Sequence, residues 1–253
     1  MRDACLLILV ASTVCCTTHP APELVSGNQP SAVATTAAPT PTKASANGTG
    51  RDADKNTPSE FGDIDFKNLS YPIAHNPAYT GEANRRSVQL GDGTREYAFK
   101  HGGGATYELD DVDYVDINGD RKKEAIVWVS QVVCGGSCDG GAEFVYFYSA
   151  RKAKPRLLSH LELGSLAYDC GLKSFELNGG SLSVETFRTC RFNGVQFSPI
   201  DGSEENGGKF SSNRSTKFWL RFDGTRFVQQ RREVVKSAEN QNYMNYKPNI
   251  EVK

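Results

Sequence analysis

From Phe61 onward the chain alternates short apolar runs with turn residues. Val88-Gln89-Leu90 leads through Gly91-Asp92-Gly93 into Arg95-Glu96-Tyr97-Ala98-Phe99. Phe175-Glu176-Leu177 meets Leu182-Ser183-Val184 across Asn178-Gly179-Gly180-Ser181, and Phe192-Asn193-Gly194-Val195 and Phe222-Asp223-Gly224-Thr225 repeat the device. Asn-Gly and Asp-Gly suit the hairpin turn whose twist matches its strands, because both central residues need positive φ. Such signals at short spacing predict an antiparallel meander. With Gly179-Gly180 as a two-residue turn, Leu177 faces Leu182 and Phe175 faces Val184, so apolar residues oppose each other on one face. Ala125-Ile126-Val127-Trp128-Val129 and Phe144-Val145-Tyr146-Phe147-Tyr148 show no alternation, which predicts central strands covered on both sides. Trp219, within Lys217-Phe218-Trp219-Leu220-Arg221-Phe222, is assigned to the same core. No capped helical pattern of ten or more residues occurs. The predicted fold class is all-β, an antiparallel meander forming a sandwich or curled sheet.

The leading residues read differently. All 13 Phe, 10 Tyr and 2 Trp lie at or beyond Phe61, so the core belongs to the later part of the chain. Arg2 followed by the apolar stretch Ala4 to Val14 has the length of an export signal, and residues 1–16 are assigned to it. Cys15 and Cys16 stand where a bacterial lipoprotein signal places its acylated cysteine. The residues before them, Ser12-Thr13-Val14, depart from the usual Leu-like and small residues of that signal, so lipidation and ordinary secretion both stay open. Residues 17–60 are rich in Pro, Ala, Thr and Ser. They cannot bury enough apolar surface to offset backbone ordering and are predicted to be a disordered tether. Such a coil spans roughly 35–40 Å, enough to hold a domain away from a membrane or wall. The folded β-domain is placed at 61–236 and a loosely ordered tail at 237–253, the alternative being that Tyr243-Met244-Asn245-Tyr246 docks on a partner or on the domain itself. Asn47, Asn68 and Asn213 head glycosylation sequons that matter only in a host that uses them.

Charge narrows the partners. With 29 Lys+Arg against 30 Asp+Glu the net charge is −1, which excludes a dedicated nucleic-acid binder. A membrane enters only through the lipid anchor, and the partner class is an envelope protein or glycan. Cys134, Cys138, Cys170 and Cys190 follow the export segment, and an even count in an exported chain favours disulfides. Of three pairings, 134–138 with 170–190 is preferred, since Gly135-Gly136-Ser137 sets the first pair across a hairpin. The hairpin register puts Cys170 opposite Thr189 and on the other face from Cys190, so that bridge needs a bulge or a loosened strand end. Three residues between Cys134 and Cys138 exclude the thioredoxin-like spacing of two.

Chemistry concentrates in Asp116-Ile117-Asn118-Gly119-Asp120-Arg121-Lys122-Lys123-Glu124, which runs into an apolar strand. Oxygens at positions 1, 3, 5 and 9, with the carbonyl of position 7, can wrap one hard cation such as Ca²⁺. Those positions are Asp116, Asn118, Asp120, Lys122 (backbone) and Glu124. The stretch resembles the Asp-x-Asn-Gly-Asp loops of FG-GAP and VCBS repeat proteins, and similar segments of uncharacterised bacterial envelope proteins. The resemblance covers about fifteen residues and occurs once. It implies secretion, a β context and a calcium site. Arg121 stands where those loops place glycine, and Arg121, Lys122 and Lys123 bring positive charge beside a cation. The competing reading is a fifth hairpin turn at Asn118-Gly119 flanked by solvated charges.

No catalytic residue is assigned. His19, His75, His101 and His160 have no metal-ligand spacing, and Ser137 lacks the Gly-x-Ser-x-Gly elbow. Gly102-Gly103-Gly104 reads as a flexible loop. Asp110, Asp111 and Asp113, on a strand end, offer further carboxylates for acid–base chemistry or for solvation. The resulting expectation is an exported, non-catalytic binding or structural module of the cell envelope. The alternative is a secreted carboxylate-dependent hydrolase with a calcium-stabilised loop.

Overall fold

The computed structural model describes residues 58–73, 86–99, 102–135, 138, 140–151, 154–164, 170–200, 214–236 and 247–253. The export segment with Cys15 and Cys16, the tether up to residue 57, His19, His75, His101, Ser137, Asn47, Asn213 and Tyr243-Met244-Asn245-Tyr246 lie outside the described residues.

Two 3₁₀ turns, Ser59–Phe61 and Phe66–Asn68, lead into β1 (Ser70–Pro72), which pairs antiparallel with β2 (Ser87–Gln89). β3 (Thr94–Ala98), β4 (Gly104–Val115), β5 (Glu124–Cys134), β6 (Gly140–Arg151) and β7 (Lys154–Leu163) then form a five-stranded meander in chain order. A second five-stranded sheet uses β8 (Leu172–Asn178), β9 (Ser181–Phe187), β12 (Arg214–Phe222), β13 (Phe227–Lys236) and β14 (Asn249–Val252), in the order β13-β12-β9-β8-β14. Between its halves, β10 (Cys190–Phe192) and β11 (Phe197–Pro199) make a separate hairpin. The architecture is mostly antiparallel β-sheet. Among the described residues no helix is long and apolar enough to cross a membrane.

Burial explains the strands that lack alternation. One apolar cluster joins Ile126, Trp128, Val145, Phe147 and Leu161 of the meander to Phe175, Leu177, Leu182, Val184, Phe218 and Leu220 of the second sheet. Ring contacts cross between the sheets, with Trp128 and Phe175 centroids 4.8 Å apart and Phe147 and Phe227 at 4.7 Å. The meander's opposite face carries Ala125, Val127, Val129, Phe144, Tyr146 and Tyr148, covered by Phe61, Phe66, Tyr71, Ile73, Val88 and Leu90 from the segment before it. β5 and β6 are therefore apolar on both faces because both faces are buried. Each large apolar side chain taken fully out of water contributes about 1.5–3 kcal/mol, so these two clusters hold the fold and the sheet-end loops ride on them. Tyr146 and Tyr71 fit inside by donating their hydroxyls to the carbonyls of Pro72 and Phe66. Burial pushes both phenols far up, which keeps them neutral donors.

β8 and β9 pair with Leu177 opposite Leu182 and Phe175 opposite Val184, the register that the Gly179-Gly180 turn predicts. Asp92 and Gly93 both take positive φ, 52° and 86°, and close a tight turn between Gly91 and Thr94. The strands flanking that turn do not form a hairpin, because β2 pairs with β1 and β3 with β4. Trp219 is not a core residue. Phe218, Leu220 and Phe222 take the buried face, and period-2 alternation puts Trp219 on the other, under Arg231 at 4.6 Å and Lys217 at 5.6 Å. Gly103 and Gly104 belong to a closed turn, with the Phe99 amide donating to the Gly103 carbonyl. Asn249–Val252 is not loose, since β14 adds a parallel strand to β8 and its backbone gains ladder partners there.

All four cysteines of the domain are bridged, Cys134 to Cys138 and Cys170 to Cys190. The register conflict at Cys170 is resolved by a bulge. Leu172 opposes Thr186 and Ser174 opposes Glu185, so Lys173 is an extra residue that shifts the strand by one position. Cys170 and Arg188 adopt positive φ of 56° and 69° beyond it.

Candidate functional site

The acidic stretch joins β4 to β5, whose pairing ends at Val115 opposite Glu124. The turn is therefore the whole span 116–123 and not a two-residue Asn118-Gly119 hairpin. Its side-chain oxygens turn inward onto its own amides. Asp116 accepts from the Gly119 amide at 2.7 Å through Oδ1 and from the Arg121 amide at 2.8 Å through Oδ2. Asn118 Oδ1 accepts from Asp120 and Asp120 Oδ1 from Lys122, each at 2.8 Å, a pair of consecutive Asx turns. Glu124 closes the base, taking the Ile117 amide on Oε2 at 2.8 Å and the Asn118 side-chain amide on Oε1 at 3.0 Å. Glu124 is 2% exposed, and burial raises its carboxyl although both hydrogen bonds oppose the shift. Arg121 adopts φ 68°, the left-handed conformation that glycine enters without cost. Asp116, Asn118, Asp120 and Glu124 are thus gathered in one loop. Among the described residues no group of three or more His, Cys, Asp or Glu side chains is arranged to hold a metal ion.

Two other turns meet this loop. The β8–β9 turn reaches it at Gly180, where a Cβ would stand 2.8 Å from the Ile117 carbonyl oxygen, so only glycine fits. The Phe222 amide donates to the Gly180 carbonyl at 2.8 Å and brings the β12–β13 turn alongside. The three turns frame an open cleft of about 420 Å³ lined by Asp116, Asn118, Gly179, Ser181, Arg221 and Asp223. Hydrogen bonds from Thr225 hold the Asp223 carboxyl below its usual range.

A second acidic group lies mid-sheet. Asp110, Asp111 and Asp113 sit within β4 and not at its end. Leu109 opposes Val129 and Asp111 opposes Trp128, so Asp110 is a bulge residue. Its Oδ1 accepts from the Ser130 hydroxyl at 3.0 Å. Glu143 of β6 also opposes Ser130, from the far side of β5. Partial desolvation raises the carboxyl of Asp110, an exposed residue, to about 6, with Glu108 and Asp111 adding like charge. Burial raises Glu143 to about 7, and the charge of Asp110 adds to it. No local pattern pairs Glu143 with Asp110, because 33 positions separate them and only the β4–β5–β6 ladder brings them together. The available signal is a charged residue opening the otherwise apolar Phe144–Tyr148 run.

The described histidine, His160, stacks on Tyr146 with ring centroids 5.7 Å apart and places Nε2 3.4 Å from Glu162. No protein family, no curated protein and no solved structure matches the chain.

Proposed function

We propose that this chain is an exported, non-catalytic binding or structural module of the cell envelope, carried on its leading segment as a tether. The single observation that carries the reading is the pairing of all four domain cysteines, since such bridges persist in oxidising compartments. The two five-stranded sheets, joined by one apolar cluster, are read as a sandwich whose turn-lined cleft offers the binding surface. The self-bonded acidic loop supports the non-catalytic part, because its carboxylates are committed to amide donors of the loop itself. Intact mass of protein recovered from its native envelope fraction tests the proposal. Loss of residues 1–14 or 1–15, a diacylglycerol-modified first cysteine and two bridged pairs support the anchored form. An unmodified, signal-free terminus with the same bridges supports free secretion. Free thiols throughout the domain and an intact first residue contradict export.

A second reading is a secreted carboxylate-dependent hydrolase with a calcium-stabilised loop. Asp110 and Glu143 favour it, as two carboxyls on one face titrating near neutrality suit acid–base work. The left-handed Arg121 favours calcium, because the backbone bends there as a cation-wrapping loop does at its glycine. Ca²⁺ would take Asp116, Asn118, Asp120, the Lys122 carbonyl and Glu124. Hydrolysis of glycoside or ester probes that Glu143→Gln abolishes would establish this reading over the first.

A further inference from the structure

We propose that the Cys134–Cys138 disulfide is a thiol-exchange site, open to a small dithiol or to a partner presenting paired thiols, while Cys170–Cys190 is the structural bridge. The two bridges differ in burial and in the length of chain they close. Cys170 and Cys190 are fully buried within the inter-sheet cluster and lie 20 positions apart. Cys138 is exposed, Cys134 is half-buried, and the pair closes a separation of 4 at the far end of the meander. Among the described residues, glycines stand at positions 103, 135, 140 and 141 around this end of β5. A Cβ on Gly103 would collide with the Cys134 carbonyl, and one on Gly141 with the Gln131 carbonyl, so β4 and β6 approach this end of β5 as bare backbone. Gly135 has open space where its side chain would stand. No side chain from these positions shields the sulfurs from an incoming thiolate, and access is one of the terms that set exchange rate.

The exchange balances. A thiolate of the dithiol attacks Sγ of Cys138, forming a mixed disulfide and releasing Cys134 as thiolate. The second thiol of the same molecule then attacks its own mixed-disulfide sulfur and releases Cys138. Two electrons and two protons pass to the protein, and the dithiol leaves as its cyclic disulfide. The spacing is not that of a catalytic dithiol, so the exchange is stoichiometric.

The full chain is treated with dithiothreitol under native conditions, quenched with iodoacetamide at intervals and peptide-mapped, which separates these sites from Cys5, Cys15 and Cys16. Cys134 and Cys138 are expected to be labelled at least about tenfold faster than Cys170 and Cys190, with the melting transition still cooperative. Equal rates, or faster labelling of the buried pair, overturn the proposal. Gly135→Leu places a side chain into the open space and should slow reduction of 134–138 by about fivefold. An unchanged rate there also overturns it.

Discussion

The acidic loop and the acidic face of β4–β6 hold similar groups in opposite situations. In the loop, Asp116 and Glu124 have both oxygens bonded to nearby donors, so charge is spent on shaping a turn. On the face, Asp110 has one hydroxyl donor and Glu143 opposes that same Ser130, and both carboxyls hold protons toward neutrality. Carboxylates bonded to donors within their own loop thus serve the fold, whereas those that face one another across strands keep titratable chemistry. A run of acidic residues is therefore a poor guide to reactivity until the partners of each oxygen are known.

The largest effect that sharpens this contrast is loss of the loop's base. Glu124→Ala strands the buried Ile117 amide and should lower stability by about 3 kcal/mol, read from denaturant midpoints. Glu124→Gln keeps an acceptor and should cost about 1 kcal/mol. Equal losses for the two would contradict an amide-bracing role.

The face should reveal itself by pH. Asp110 and Glu143 titrate higher in the folded chain than in the unfolded one, so folding takes up protons. Their contribution is complete below the ordinary carboxylate range and is lost as pH climbs through about 6 and about 7. The melting midpoint should fall between pH 5 and pH 8, and Glu143→Gln should flatten that fall. Asp110→Asn should bring the Glu143 titration down, as followed by carboxyl NMR. A flat wild-type profile would remove the distinction between the two regions.

The smallest effect is at Arg121. Replacing it by glycine removes a left-handed strain and should raise stability by about 1 kcal/mol, measured by thermal melting. A loss instead would mean that the Arg121 side chain supports the loop.

The legible parts of the fold were those whose signal is local. The β8–β9 register follows from Asn178-Gly179-Gly180-Ser181 and two facing apolar pairs, and the need for a bulge near Cys170 follows from that register. The two-sided burial of β5 and β6 is written in their unbroken apolar runs. Trp219 lies outside the core because the alternation of Phe218, Leu220 and Phe222 decides its face, and not its own hydrophobicity. β14 carries four residues and a parallel pairing to a strand more than seventy positions earlier, for which no nearby pattern exists. The layer built by Phe61, Phe66 and Tyr71 rests on three-residue elements too short to show a period. In the site, the spacing of oxygens in 116–124 was legible, but a cation and a backbone amide ask for the same spacing. Glu143 was invisible because strand pairing alone brings it to Asp110.

Calorimetric melting of the domain in chelator and then in excess calcium tests most directly whether the acidic loop holds itself. The self-bonded loop predicts one midpoint in both conditions. A midpoint that rises by several degrees with calcium, and returns when chelator is added, would contradict it.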